Sequence, residues 1–208
     1  MGKVLYMRKG DNHTVPGSRL PSGYTELAYI QSSGTQYINT GFKPSGENMR
    51  IVLDFMYTAA HDRHSLYGVQ TSSTAFSITA YSDPKFYVGT SLELLPQTTS
   101  LNVRYLLDAH ANNGTLTVSL DGTTSNSAYS GSLDKTLELS LFGNNINGST
   151  TQLVSARVYA CQIYDNGALV RDFVPCINAS GNIGLYDLVG KQFYGNAGTG
   201  TFIGSEVA

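Results

Sequence analysis

The chain has 208 residues and a net charge of −2, with 13 lysines and arginines against 15 aspartates and glutamates. No basic run is longer than Arg8-Lys9, so there is no cationic track to displace counterions from a phosphate backbone, and a nucleic-acid partner is not expected. No segment approaches the roughly 20 apolar residues of a spanning helix, and the low charge content (13%) leaves Ser, Thr, Asn and Gly to make the surface, as suits extended β structure.

Residues 1–19 read as an N-terminal arm. Val4-Leu5-Tyr6 has strand character, and Gly10-Asp11-Asn12 and Pro16-Gly17-Ser18 punctuate a linker behind it. This opening lacks the apolar run and small-residue cleavage site of a secretory signal, so no leader is expected. The main domain is expected over residues 20–208. Thr35–Phe42 reads as its first strand. Met49–Tyr57 alternates strictly, with Met49, Ile51, Leu53, Phe55 and Tyr57 on one face and Arg50, Val52, Asp54 and Met56 on the other. Period two is the mark of a half-buried strand.

Short strands are expected within 65–70, 75–81 and 85–90. Leu101, Val103, Tyr105 and Leu107 then alternate, Asn113-Gly114 predicts a hairpin, and Leu116, Val118 and Leu120 line the return strand up to a second turn at Asp121-Gly122. Leu137, Leu139 and Leu141 share a face. Residues 152–173 read as a long strand, a turn at Asp165-Asn166-Gly167, and a return strand. No capped 3.6-residue period is present; Ser132–Leu139 offers one helical turn at most. Many short strands with Gly and Asn turns predict an all-β antiparallel β-sandwich or barrel.

The segments "LPSGYTELAYIQSSGTQYINTGF", "SLFGNNINGS", "VSARVYACQIYDNGALVRDFVPC" and "GLYDLVGKQFYGNAGTGTF" resemble the concanavalin A-like, laminin G-type jelly-roll domains of bacteriophage structural proteins, also found in gut bacterial surface proteins. The opening "MGKVLYMRKG" is similar to the start of small phage tail-region proteins. The resemblance runs from about Leu20 to Phe202. It implies a concanavalin A-like jelly roll of two antiparallel sheets, one presenting a concave face. Most such domains bind glycans or other surface ligands and a minority are hydrolases. Many sugar-binding members stack Trp on a sugar ring; this chain has no Trp, so its 14 Tyr would have to serve.

Hydrolases of this fold carry acid and nucleophile two apart on one strand, where both project from the same face and flank a glycosidic bond. No two acidic residues here are two apart, and the nearest pair, Asp134 and Glu138, would stand about 13 Å apart on an extended strand. The Gly-x-Ser-x-Gly elbow of serine hydrolases is absent as well, and the chain is expected not to be an enzyme. His61 and His64, with the acid Asp62 between them, could hold a divalent metal if a third ligand arrives from elsewhere, against the reading of a polar loop. Calcium in Asp- and Asn-rich loops is an implication of the resemblance, without assigned residues. The binding aromatics singled out are Tyr81, Phe86, Tyr87 and Tyr129, which sit among Ser, Asn and Gly where a ring can stack on sugar. Cys161 and Cys176 lack metal-ligand spacing and are either free thiols or one disulfide. Asn12, Asn113, Asn147 and Asn178 stand in Asn-x-Ser/Thr sequences that read first as turns.

Gly195-Asn196-Ala197-Gly198-Thr199-Gly200 has the glycine density of a phosphate loop, but such a loop leads into a helix, and only a short apolar strand follows. It reads as a tight turn closing the sheet, with Tyr186 and Phe202 as core contacts to either side. Three functions therefore compete: a virion surface protein that recognises a bacterial surface polysaccharide, a structural or decoration protein that binds other virion subunits through the arm, and a glycan hydrolase. The first is the leading expectation, with a virion location and a trimer as the oligomer that would match particle symmetry.

Overall fold

The computed structural model describes residues 19–60, 63–71, 74–80, 85–88, 91–94, 96–129, 132–133 and 135–207, with backbone only at 80, 85–88 and 91–94. Eighteen strands follow one another: β1 (Tyr24–Ser33), β2 (Ile38–Asn39), β3 (Asn48–Tyr57), β4 (His64–Gln70), β5 (Ala75–Ala80), β6 (Lys85–Val88), β7 (Ser91–Leu94), β8 (Arg104–Asn112) and β9 (Thr115–Leu120). Then come β10 (Thr123–Ala128), β11 (Ser140–Leu141), β12 (Asn144–Ile146), β13 (Ser149–Thr151), β14 (Ser155–Asp165), β15 (Ala168–Asn178), β16 (Ile183–Asp187), β17 (Gln192–Tyr194) and β18 (Ile203–Glu206). No helix occurs among the described residues.

Two sheets form the sandwich. The ten-stranded sheet runs β10-β9-β8-β3-β14-β1-β15-β16-β17, with β18 beside β1; the eight-stranded sheet runs β13-β12-β4-β5-β6-β7, with β11 joining β2 to β4. All pairings are antiparallel except β12 with β4, the one parallel ladder. The alternation in Met49–Tyr57 is realised as read: Met49, Ile51, Leu53 and Phe55 are fully buried and point at the other sheet. They meet Tyr67, Val69, Phe76, Ile78 and Leu141 in one continuous core. Each such side chain stabilises the sandwich by about 1.5–3 kcal/mol through removal of apolar surface from water.

The predicted turns join β8 to β9, β9 to β10 and β14 to β15, with Asn113, Asp121 and Asn166 at φ 44°, 48° and 49° ahead of glycines at positive φ. That is the turn geometry matched to strand twist. Asn147-Gly148 makes a fourth such hairpin, between β12 and β13, in keeping with the turn expected at Asn147. Other expectations are revised. Within Thr35–Phe42 only Ile38–Asn39 is strand. Leu101 and Val103 lie outside β8 and are exposed, 43% and 38%, because the strand starts at Arg104.

β1 was not legible as a strand at all. Its buried apolar residues are Leu27 and Ile30, three apart, because the register with β18 shifts between Leu27 and Tyr29. A bulge adds a residue and breaks the period-two pattern. β14 does the same: Val158 and Cys161 both face the core, and Tyr159 is the unpaired residue between Val158, opposite Phe55, and Ala160, opposite Asp54.

The two cysteines are free and buried. Cys161 belongs to the core between the sheets, whereas Cys176 sits in a second cluster with Leu20, Val174 and Tyr186. Phe173 faces the main core and Cys176 lies three residues further along β15, so the thiols occupy opposite faces of the ten-stranded sheet and cannot be bridged.

Candidate functional site

Of the residues singled out from the sequence, Tyr129 and His64 are among the described ones. Tyr129 is buried, its amide donates to the Gly114 carbonyl and its hydroxyl to the Glu47 carbonyl at 3.3 Å. It belongs to the main core, tied to the Asn113-Gly114 turn and to Glu47, and this burial corrects its assignment as a binding aromatic. Tyr81 and the side chains of Phe86 and Tyr87 lie outside the described residues, as do His61 and Asp62. His64 opens β4, paired with Ala80. Among the described residues no three His, Cys, Asp or Glu side chains converge on a point where a metal could sit.

A different constellation emerges on the outer face of the ten-stranded sheet, across β8, β3, β14, β1 and β15. Arg50, Val52, Asp54 and Met56 face outward because their neighbours on β3 fill the core. Two diagonal cross-strand pairs tie β3 to β8. Arg50 donates to both oxygens of Asp108 at 2.8 and 2.7 Å, and Arg104 donates to both oxygens of Asp54 at 2.7 and 2.6 Å. Such forked pairs fix both partners in orientation.

On the far side of β3 the face turns aromatic. The Arg104 guanidinium lies 3.9 Å from the centre of the Tyr159 ring. Tyr159 meets Tyr29 edge-on at 5.6 Å, and Tyr29 carries the Arg157 guanidinium at 4.1 Å. Further along β14, Tyr164 lies beneath Arg50 at 5.2 Å and donates to Gln162, which donates in turn to Asp172. The result is a row of two adjacent phenols flanked by guanidinium groups, Arg104-Tyr159-Tyr29-Arg157, which reaches across four strands from β8 to β1, about 14 Å.

Strand pairing builds this row: core-facing Ile30 opposes Val158 and Gln31 opposes Arg157, so Tyr29 and Tyr159, one step further on, share the outer face with Arg157. The bulges lie beside it: the extra residue in β14 leaves the small Ala160 outward next to Tyr159, and β1 shifts register next to Tyr29. Bulges recur beside binding sites. The sequence signal that would have found both tyrosines is the skipped step in the apolar alternation, at Leu27–Ile30 and at Val158–Cys161.

The electrostatics are those of a half-buried polar face. Burial, and secondarily the neighbouring Arg50 charge, pull the His110 imidazole below its usual range; its Nε2 sits 2.9 Å from the Asn48 amide oxygen. Burial pushes the Tyr164 phenol up, with Arg50 opposing. Burial also raises the Asp172 carboxyl, partly offset by the Gln162 hydrogen bond.

The glycine-rich closing loop sits apart from this face. It borders an open depression of about 610 Å³ lined by Asn182, Phe193, Asn196 and Thr201 among others. Asn196 organises the loop: its oxygen accepts from the amides of Tyr37 and Gly198, and its amide nitrogen donates to the carbonyls of Thr199 and Gly200. Ala197 and Thr199 bond through their backbones to Tyr37 and Thr35. The turn reading holds, with two refinements. Of the three glycines only Gly200 has positive φ, 71°; a side chain on Gly198 would strike the Thr35 carbonyl. The strand that follows, β18, pairs with β1 and not with β17. Phe202 is a core contact against Phe142, while Tyr186 belongs to the outer cluster.

No protein-family model matches the chain, and no curated protein is detectably similar in sequence. Solved structures are similar. A protein of Bacteroides ovatus to which carbohydrate binding has been ascribed superposes with a TM-score of 0.62 at 10% identity, over 88% of this chain and 61% of that one. NanB, in its structure with optactamide, gives 0.54 at 13% identity over 71% and 26%. The mouse laminin α1 LG4-5 domains give 0.53 at 14% identity over 88% and 47%. The fold is the jelly-roll β-sandwich. The chain spans less than two thirds of each of these proteins, and at such identities the likeness is one of fold.

Proposed function

We propose that the protein is a non-enzymatic glycan-binding module that grips a polysaccharide on the outer face of its ten-stranded sheet. The observation that carries this reading is the row Arg104-Tyr159-Tyr29-Arg157. It sets two partly exposed phenol rings beside amide, carboxylate and guanidinium groups for sugar hydroxyls, and it is already fixed by cation–π contacts and forked hydrogen bonds. Preorganisation of this kind lowers the ordering cost of binding. The carbohydrate binding ascribed to the Bacteroides ovatus protein lends support from the same fold.

A hydrolytic role fits less well. Among the described residues of this face Asp54, Asp108 and Glu26 are each taken up by a guanidinium, which leaves Asp172 where glycoside hydrolysis needs two carboxyl groups. The setting we propose is the surface of a bacteriophage particle, with a bacterial envelope polysaccharide as the ligand; its support is the sequence resemblance to phage tail-region domains. Binding of the full chain to host cells and to their purified polysaccharide, weakened in Tyr159→Ala, is the expected outcome. Binding only to virion subunits, with no polysaccharide bound, would reverse the proposal in favour of a structural role.

A further inference from the structure

The charges on the outer face are not evenly matched. Arg50 is committed to Asp108 and Arg104 to Asp54, each by two hydrogen bonds. Arg157 has no carboxylate partner among the described residues. Its Nε donates to the Gln31 side-chain oxygen at 2.7 Å, and its plane is held over the Tyr29 ring. Both outer guanidinium nitrogens have no acceptor among the described residues, on a side chain that is only partly buried.

The other carboxylates described on the face are engaged elsewhere: Glu26, on β1, takes the Arg19 guanidinium at 3.1 Å. Asp172 lies on β15 and takes the Gln162 amide. The end of the row at Tyr29 is therefore a locally positive spot held in a fixed orientation, with an aromatic ring beneath it and a second at its side. A guanidinium whose Nε is tied down presents its outer edge as a rigid two-donor fork, the shape that matches two oxygens of a carboxylate, sulfate or phosphate.

We propose that the Tyr29–Tyr159–Arg157 end of the face is a subsite for an acidic sugar, with the tyrosine rings packing on the pyranose and the Arg157 fork taking its anionic group. This deepens the glycan-binding reading and rests on it. The shared chemistry is an anionic oxygen pair on a sugar ring, whether from a uronic acid or from a sulfated hexose. Neutral polysaccharide would bind more weakly, since nothing would then satisfy the fork.

The test uses the full chain in calorimetric titrations at 50 and 300 mM NaCl. The probes are polygalacturonate and its carboxyl-reduced form, and dextran sulfate and plain dextran. The expected result is binding of at least one acidic polymer at least tenfold tighter than its neutral counterpart, weaker at the higher salt. Arg157→Gln should cost at least tenfold on the acidic polymer and less than threefold on the neutral one. Lys43→Gln, which removes an equal charge from an exposed lysine outside the row, should change neither. Thermal melts of both variants confirm that the fold persists. Which acidic polymer binds separates the carboxylate from the sulfate source. Equal binding of acidic and neutral polymers, or an unchanged Arg157→Gln, overturns the acidic subsite while leaving glycan binding in place. Failure of all four polymers and of host envelope polysaccharide to bind overturns both.

Discussion

Tyr159→Ala separates the two things the Tyr159 ring does. In the free protein the ring makes a cation–π contact with Arg104 at 3.9 Å and an edge contact with Tyr29 at 5.6 Å. Its hydroxyl lies 3.8 Å from the Met56 sulfur and adds little. Contacts of these types contribute about 0.5–1 and 0.5–1.5 kcal/mol on a partly exposed face. The loss on truncation is then about 1–2 kcal/mol, against a total stability of about 5–15 kcal/mol. Tm should fall by about 2–8 °C, and the variant stays folded at 25 °C. If the same ring is the central platform for a sugar, truncation should remove about 2 kcal/mol or more of binding free energy, as for aromatic anchors generally. That is about a thirtyfold weakening. Calorimetric titration with the envelope polysaccharide measures it, beside a thermal melt. Tyr159→Phe keeps the ring and should stay within about threefold of the parent. Unchanged affinity in Tyr159→Ala, with Tm lowered as expected, would refute the assignment of this face.

Other consequences can be checked independently. Asn196→Ala removes an acceptor and a donor that together serve four backbone groups of the closing loop, and should cost about 2–3 kcal/mol, read as a Tm lower by about 4–12 °C with polysaccharide affinity unchanged. Asp172→Asn tests the pH sign. Burial raises this carboxyl in the folded state above its ordinary 3.8, so the folded protein holds its proton more tightly than the unfolded chain and loses stability as pH climbs through that window. The variant should therefore melt higher than the parent at pH 7 and indistinguishably from it below about pH 3. Cys161 and Cys176 should both resist a thiol reagent at pH 8 in the folded protein and titrate fully in denaturant, since burial drives the Cys176 thiol up to about 12 and Cys161 higher still. A disulfide detected by mass spectrometry of the native chain would contradict the placement of the two thiols.

How much of this could be read in advance depends on what each feature needs. β3 was legible because its alternation is unbroken over nine residues and its inner face meets the core without interruption. The hairpins were legible because Asn-Gly and Asp-Gly satisfy positive φ locally, whatever surrounds them. Thr35–Phe42 promised a longer strand than the two residues it yields, because its flanks bond to the closing loop and to the Leu139 carbonyl instead of to a partner strand. The binding aromatics were sought in loops, where Tyr among Ser and Gly looks exposed; Tyr129 instead belongs to the main core, tied to Gly114 and Glu47. Tyr29 and Tyr159 went unnoticed because they sit within strands, where a Tyr between apolar residues reads as core.

By itself, the sequence determined the class of the fold, the hairpin positions, the inner face of the central strand and the structural nature of the glycine-rich end. All of these rest on interactions between residues close along the chain or on a backbone preference carried by one residue. Only the tertiary structure decided which tyrosines share a surface. Tyr29 and Tyr159 are 130 positions apart, and the antiparallel register of β1 with β14 brings them to the same side. Register is a property of paired strands, and a one-residue shift reverses a side chain's face, so the outer face and the unmatched charge of Arg157 could be read only after the strands had been paired.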